Sequence, residues 1–234
     1  MLFERRLLLN FLPIAFACAA TILVAPISVI GATSTQVEPA GFGANEEAFK
    51  REFDVSEYKL TEEIIIRCGS RVEEDGRVRA LLCQGEPERG RNTRRAIRKI
   101  QSILRSLPLE PAKISGIETQ VWYNFAVIMT PGSSEVQIIN NHLHNRESFG
   151  EDYIAPQRYG YPSWRGCLGM PESGIFVEAR VSSEGTASDI NVIGGRQGYA
   201  SCITRASNNI QNSRFIPAFS NGVPVDAIFV ELFK

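Results

Sequence analysis

The chain has 234 residues, of which 44% are hydrophobic and 22% charged, and a net charge of -1 at neutral pH. These values indicate a globular chain of one large or two small domains, with no bulk attraction to nucleic acid or membrane. The start differs, because a short basic segment precedes an uncharged, mostly apolar run from Leu7 to Ala32. Residues 1–32 are predicted to be a signal peptide for export. An uncleaved membrane anchor is the alternative, since the run is long enough to span a bilayer.

Residues 33–60 are polar and weakly patterned, and the sequence predicts a flexible lead-in there. Export implies an oxidising compartment, and four cysteines come after the signal. An even number of cysteines in such a compartment favours disulfides over a metal site or a reactive thiol. The four are Cys68, Cys83, Cys167 and Cys202.

The next segment, residues 64–83, is predicted to be a β-hairpin around Asp75-Gly76, a pair that tolerates the positive φ of a tight turn. A two-residue turn here places Cys68 opposite Cys83, within disulfide reach. A three-residue loop would shift the register by one and turn the two cysteines to opposite faces. The hairpin alone does not decide between these.

One order of elements then occurs twice. The first hairpin is followed by a helix with an apolar stripe in residues 91–107 and by an aromatic strand in 121–129. After a loop-like stretch, a second hairpin, a helix and a terminal strand return, with Pro217-Ala218 in the place of Pro111-Ala112. This internal repeat predicts an α+β fold of two β-β-α-β units, each a small antiparallel sheet packed by a helix. The predicted boundaries are 61–130 and 158–234 for the units and 131–157 for the linker.

The second hairpin favours the two-residue turn in both copies. With that turn around Glu184-Gly185, the residues opposite one another form a largely apolar face. The opposed pairs are Val177 and Val192, Ala179 and Ile190, and Val181 and Ser188. Cys68 and Cys83 occupy the places of Val177 and Val192, so a disulfide replaces an inward apolar pair.

The second copy resembles the C-terminal domain of the TonB energy-transducer family, over about residues 158–234. The residues that carry the resemblance stand in the family's order: Tyr161-Pro162, Gly185, Phe215, Pro217-Ala218, Asn221-Gly222 and the strand 223–233. The first copy is similar but degenerate, since it has Gly76, Pro111-Ala112 and Gly116 and no Tyr-Pro.

The resemblance implies how the chain recognises a partner. In that family the terminal strand offers an edge on which partner peptides pair, which is strand addition. The corresponding residues here are Val225, Ala227, Phe229, Val230 and Glu231. The alternative is that the first unit or a second copy of the chain covers this edge. The family's packing also brings together the segments of Cys167 and Cys202, so the resemblance implies a disulfide between them.

Differences between this sequence and the family's pattern narrow the range of functions that we expect. Force-transducing members carry a histidine in a transmembrane helix and a long proline-rich rod, whereas here no histidine precedes His142 and the lead-in is short. We therefore expect an exported, periplasmic binding or scaffolding protein without the motor linkage. Its partner is expected to be an envelope protein or peptide segment, with outer-membrane receptors as candidates and no nucleic acid. The alternatives are a transport accessory anchored in the inner membrane, and an envelope hydrolase or inhibitor that uses the fold as a scaffold.

Other candidate chemistry is weaker. His142 and His144 have no cysteine or carboxylate cluster beside them, so a solvated loop is favoured over a metal site, and no cofactor is expected. Ser133 and Ser134 lack a nucleophile elbow and an oxyanion motif, so we predict that the chain is not an enzyme. The basic run between Glu88 and Arg105 fits either a solvated helix face or a surface for anionic envelope polymers or lipid headgroups. The solvated face is favoured.

Overall fold

The computed structural model describes residues 36–88, 90–142, 145–150, 152–160, 167, 174–193 and 199–233. The predicted signal or anchor in residues 1–32, His144 and Tyr161-Pro162 lie outside these ranges. Residues 35–234 cluster as one compact unit. Within the described ranges, no helix has both the length and the apolar character needed to cross a membrane.

The segment predicted as a flexible lead-in is instead part of the core. It contains strand β1 (Val37–Glu38), helix α1 (Glu46–Glu52) and a 3₁₀ turn at Val55–Tyr58. Three phenylalanines, Phe42, Phe49 and Phe53, are fully buried. The prediction of flexibility was wrong because the apolar residues here are few but aromatic, and each aromatic ring buries a large area.

The first β-β-α-β unit comes directly after this segment. Its elements are β2 (Ile64–Val72), β3 (Val78–Glu86), α2 (Arg91–Ser106), the short hairpin β4 (Ala112–Ile114) and β5 (Ile117–Thr119), and β6 (Val121–Met129). Strand β2 lies between β3 and β6, antiparallel to both. The apolar side of α2 (Ala96, Ile100 and Leu104) packs into the same core as the inward β2 residues. The spacing of these residues is that of one face of a helix.

The second unit repeats this plan. Its elements are β9 (Ile175–Val181), β10 (Ala187–Ile193), α4 (Ala200–Gln211), β11 (Arg214–Ile216), the hairpin β12 (Ala218–Ser220) and β13 (Val223–Val225), and β14 (Ala227–Phe233). Strand β9 lies between β10 and β14. The predicted α+β fold of two β-β-α-β units, each with a small antiparallel sheet and a packing helix, is confirmed.

The short hairpins show how closely the two copies correspond. Ser115 and Gly116 turn the first with φ values of 53° and 78°, and Asn221 and Gly222 turn the second with 50° and 75°. A two-residue turn with both φ values positive suits the right-handed twist of the flanking strands. The alignment of Pro111-Ala112 with Pro217-Ala218 therefore matches equivalent backbone.

The two long hairpins close with a three-residue loop, not with the predicted two-residue turn. In the first, the Glu73 amide donates to the Arg77 carbonyl at 2.9 Å, and Gly76 ends the loop with φ +79°. The Asp75 carboxylate accepts from the Arg77 amide at 3.0 Å. An αL residue at the third loop position is the usual form of such loops, so Asp-Gly is compatible with both lengths.

A β-bulge restores the register that the longer loop would have shifted. The ladder between β2 and β3 is irregular next to Gly69, and Ala80 there has φ +48°. Beyond this bulge Cys68 lies opposite Cys83. An inserted residue moves the pairing by one position, which cancels the offset of the loop. The predicted pairing of the cysteines is thus confirmed, although it results from a three-residue loop and a bulge and not from a two-residue turn.

The second hairpin has the same compensation. Asp189 has φ +48°, and Val177 lies opposite Val192 as predicted. Nearer the turn, Val181 pairs with Ala187 and not with Ser188, because the longer loop shifts the register there. For the predicted pair of Ala179 with Ile190 the ladder records no single pairing, because these residues lie where the bulge interrupts it.

The segment between the units adds strands to the first sheet. Strands β7 (Gln137–Ile139) and β8 (Gln157–Tyr159) both pair with β6, and β11 pairs with β8. Helix α3 (Arg146–Phe149) lies between β7 and β8. The larger sheet therefore runs β11-β8-β6-β2-β3 and the smaller one β10-β9-β14. The outward edge of β6 is thus filled from within the chain.

Candidate functional site

Two disulfides are present, with the predicted pairings. Cys68 is bonded to Cys83 across β2 and β3, and Cys167 is bonded to Cys202 on α4. Cys68 and Cys202 are fully buried in the first and second cores. Disulfides persist in oxidising compartments, so this pair of bonds indicates an exported environment.

The residues predicted from the resemblance as a binding edge lie on two strands. Val225 is in β13, where it pairs with Ala218. Ala227, Phe229 and Glu231 alternate along β14 with their side chains buried, and Val230 lies between them, only 6% exposed. The side chains of this group therefore contribute mainly to the interior.

The backbone of β14 shows which of its residues face outward. The carbonyl of Val230 accepts a bond from Asn124 Nδ2 at 2.8 Å, and that of Ile228 accepts one from Asn145 Nδ2 at 3.3 Å. Backbone groups alternate in direction along a strand, so Ile228 and Val230 point away from β9. In the described part of the chain no strand pairs with this edge of β14. Two side-chain amides occupy it instead, one of them from the first unit.

A cleft lies between the two sheets, on the faces that α2 and α4 do not cover. Its volume is about 310 Å³. The larger sheet contributes residues of β2, β3 and β6, and the smaller one residues of β9, β10 and β14. The apolar lining residues are Leu82, Trp122, Phe176, Ile193, Val230 and Leu232. The polar lining residues include Arg67, Gln84, Glu86, Asn124, His142 and Glu178. An apolar pocket with a few polar groups is the usual form of a binding site.

Trp122 is one of the residues that line this cleft. Its indole lies over Gly69, where an added Cβ would come within 2.9 Å of the ring. The indole Nε1 donates to Asn124 Oδ1 at 3.1 Å, and Asn124 in turn donates to the Val230 carbonyl. This relay joins the outer face of the larger sheet to the edge of β14. Gly69 is required here because the indole occupies the space of its side chain.

The charges in the cleft are not balanced. Arg67 donates to Glu86 Oε1 at 2.8 Å and to the His142 carbonyl at 3.3 Å. His142 Nε2 lies 2.8 Å from the Cys68 carbonyl, so this nitrogen carries a proton. The carboxylate of half-buried Glu178 forms no hydrogen bond or ion pair with another described residue. Among the described residues that line the cleft, Glu178 therefore supplies a carboxylate without a counter-charge, beside apolar walls.

A second polar group is buried where β8, α4 and β14 meet. Arg158 Nε on β8 donates to Glu231 Oε2 at 2.7 Å, and its Nη1 donates to Asn209 Oδ1 at 2.7 Å. The guanidinium also lies 5.7 Å from the centre of the Phe233 ring. Burial raises the pKa of Glu231, and the neighbouring Arg158 opposes this shift.

The weaker candidates are not brought together into a site. Ser133 Oγ donates to the Glu135 carbonyl, whereas His142 bonds to Cys68. Among the described residues, no group of three or more histidine, cysteine or acidic side chains could hold a metal ion.

The cleft was not predicted from the sequence, although one signal indicates it. Trp122 would be assigned with its neighbours to an ordinary strand core. However, every residue of β6 is buried, on both faces of the strand. A continuous apolar run such as VWYNFAVIM is typical of a strand covered on both sides. It therefore indicates that a second layer packs on the sheet.

No family model, no curated protein and no solved structure matches this chain. The likeness to the TonB C-terminal domain therefore stays a prediction, which the motifs and the repeat support. The geometry of the cleft and of the sheet edges carries the argument about function.

Proposed function

We propose that this protein is a periplasmic binding or scaffolding module with two TonB C-terminal-like units, which holds an extended segment of an envelope protein. The fold supports strand addition as the mode of binding, because the chain already uses it internally. Strands β7 and β8 are added to β6, and β1 is added to β4. A fold that accepts added strands at two places offers the same chemistry to a partner.

The observation that carries the proposal is the position of the cleft. Within the described ranges, β3 and β10 are edge strands of their sheets, and both contribute residues to the lining of the cleft. An extended segment in the cleft thus has apolar walls for its side chains and an edge strand for its backbone. The edge of β14 is a poorer candidate, since Asn124 and Asn145 already occupy two of its carbonyls.

The backbone direction identifies the residue of β10 that meets such a segment. Val230 points away from β9, so its neighbour Glu231 bonds to Val177 across the ladder. Val177 then points toward β14 and away from β10. Val192, which lies opposite Val177, therefore directs its own amide and carbonyl outward. Cys83 is the residue of the first unit that corresponds to Val192. Its Cα lies 4.1 Å from that of Cys68, a distance typical of an antiparallel pair that exchanges no backbone hydrogen bonds, so Cys83 also directs its amide and carbonyl outward.

The charge of the cleft indicates the class of segment. Glu178 has no partner among the described side chains, and Trp122 and Leu232 line the same cleft. A lysine or arginine can place its hydrocarbon stem on such apolar residues and its charge on the carboxylate. We expect the partner segment to carry a basic residue flanked by apolar ones.

Site-specific photocrosslinking in envelope extract tests this proposal. A photoreactive residue replaces Ile193, which is 44% exposed and lines the cleft, or Ile117, which is 70% exposed on β5 and lies outside the cleft lining. We expect a discrete crosslinked partner from position 193 and none from position 117.

Variants at Val192 separate the backbone from the side chain. Val192→Ala and Val192→Pro both remove the isopropyl group, but only proline removes the amide. The crosslink should survive in the alanine variant and disappear in the proline variant. Equal crosslinking in both would exclude strand addition to β10. Turnover of an envelope substrate by the purified protein would support the hydrolase alternative.

A further inference from the structure

Helix α2 carries a row of arginines on the side away from the core. Arg91, Arg94, Arg98 and Arg105 are all exposed, whereas Ala96 and Ile100 are fully buried. At 100° per residue the four fall within an arc of about 60°, and at 1.5 Å per residue they extend over about 21 Å. We call these four residues the α2 arginine row. The helix contains no acidic residue.

The charges of the α2 arginine row are uncompensated within the described ranges. No ion pair involves any of its four guanidinium groups, although nine other ion pairs are present there. Arg95 stands beside the row and is a useful contrast. It pairs with Glu57 at 2.5 Å and covers the Tyr58 ring, so it belongs to the packing of the 3₁₀ turn. The row therefore serves no visible structural purpose, although clustered arginines destabilise a helix because like charges repel.

We propose that the α2 arginine row docks the protein onto an anionic lipid surface. A straight row of guanidinium groups matches a plane of phosphates, and each basic residue near such a surface adds affinity of about five-fold. A lipid surface is favoured over nucleic acid because the two disulfides indicate an exported environment. The net charge of -1 means that the chain as a whole is not attracted to such a surface, so the attraction has to come from a local cluster such as this row.

The position of the row fits the cleft. Helix α2 packs on the face of the larger sheet that carries Cys68 and Ile66, and the cleft lies on the opposite face, with Arg67 and Gly69. Successive residues of β2 point to the two faces in turn. A protein docked through the row therefore holds the cleft open away from the lipid. Docking through the row does not depend on what the cleft binds.

Cosedimentation of the full chain with vesicles tests the proposal. One set of vesicles contains phosphatidylcholine alone, and the other contains about half phosphatidylglycerol. The variant R91Q/R94Q/R98Q/R105Q removes the row, and glutamine keeps the helix propensity. The control R77Q/R180Q/R205Q/R214Q removes the same charge from four exposed sites outside α2. Unfolding followed by circular dichroism checks that both variants fold.

We expect the original chain to prefer the anionic vesicles, with an affinity that falls as salt rises. The row variant should lose this preference by about five hundred-fold, and the control should change by no more than about two-fold. If the row variant does not fold, R94Q/R98Q should show a loss of about twenty-fold. If the row variant and the control lose equal affinity for anionic vesicles, the binding depends on net charge and not on the row. Binding of dextran sulfate without binding of anionic vesicles would show a polyanion site. Either result overturns the proposal.

Discussion

Arg158 and Glu231 form a buried ion pair that joins strand β8, in the segment between the two units, to strand β14. The two residues are 1% and 3% exposed. Asn209 on α4 completes the group through a bond to Arg158. The contact fixes β8 against the second core, and β8 is also hydrogen-bonded to β6 of the first unit. The pair therefore links the second core to a strand of the larger sheet.

Removal of one partner of this pair is expected to be costly. Glu231→Gln keeps the shape of the side chain but replaces one of the two oxygens that accept from Arg158 with an NH2 group, which cannot accept, so we expect a loss of about 1.5–3 kcal/mol in the free energy of unfolding. The matched control is Asp189→Asn, which breaks the exposed pair between Arg180 and Asp189. That loss should be below about 1 kcal/mol. Urea unfolding measures both, and similar losses would contradict the importance of the buried pair.

The same variant tests the titration of Glu231. Burial raises the pKa of its carboxyl above the value in the unfolded chain. A raised pKa in the folded state contributes stability that is present below the unfolded pKa and is lost as pH rises through the folded one. The stability difference between the original chain and Glu231→Gln should thus be larger near pH 4 than near pH 8. A difference that grows with pH would mean that Arg158 lowers the pKa instead.

Ala80 offers a stabilising substitution. Its φ of +48° is in the left-handed region, which disfavours residues with a Cβ, and the side chain is exposed. Ala80→Gly should raise the free energy of unfolding by about 1 kcal/mol. The control Ala187→Gly, in a strand position without positive φ, should lower it by about 0.5–1 kcal/mol. Loss of stability in Ala80→Gly would argue against the bulge, and with it against the three-residue loop.

The bulge also illustrates what the sequence can and cannot specify. The pairing of Cys68 with Cys83 follows from the inward positions of both strands, since a slip would expose the apolar set of the second hairpin. The loop length does not follow from the sequence, because Asp-Gly is compatible with a two-residue and with a three-residue loop. The bulge could not be predicted either, because the residues with positive φ there, Ala80 and Asp189, are of unrelated types. Fold class and repeat were thus predictable, and the local geometry was not.

The cleft was beyond prediction for another reason. Its walls come from strands far apart in the chain, such as β2 and β14, and their approach depends on single contacts. The bond from Asn124 to the Val230 carbonyl is one of these, and the sequence does not tell which distant group a strand asparagine bonds to. The aromatic core of the lead-in was missed because Phe42 and Phe49 lie in a polar stretch.

The relay through Asn124 gives a further prediction. Asn124→Ala leaves the buried indole N–H of Trp122 and the Val230 carbonyl without partners, and we expect a loss of about 2–4 kcal/mol. Asn212→Ala is the control, because Asn212 has a negative φ of -92° and its side-chain amide makes only an exposed bond to the Asn208 carbonyl. It should lose less than about 1 kcal/mol. Urea unfolding with tryptophan fluorescence reports both stability and the environment of the indole. Equal losses would mean that the relay does not hold the edge of β14.

Proline substitutions on β14 test the direction of its backbone. Phe229 lies opposite Ala179 and directs its amide toward β9, whereas the amide of Val230 points away. Compared with the matched alanine variants, Phe229→Pro should lose about 3 kcal/mol more, since it removes a ladder hydrogen bond, and Val230→Pro should lose much less. Circular dichroism during urea unfolding measures these differences. Similar extra losses at both positions would contradict the assignment of the Phe229 amide toward β9 and of the Val230 amide away from it.

The folded Val230→Pro variant then separates the two edges as binding sites. Because Val230 also lines the cleft, the comparison is with Val230→Ala, and we expect both variants to crosslink equally from position 193, since Val192 on β10 supplies the outward amide in the proposed mode of binding. Loss of that crosslink in the proline variant alone, with the fold intact, would return the binding edge to β14, where the likeness to the TonB family places it. In that case the partner strand has to displace the side-chain amides of Asn124 and Asn145 from the two carbonyls they occupy. Asn124→Ala should then strengthen partner capture, whereas binding to β10 predicts no such gain.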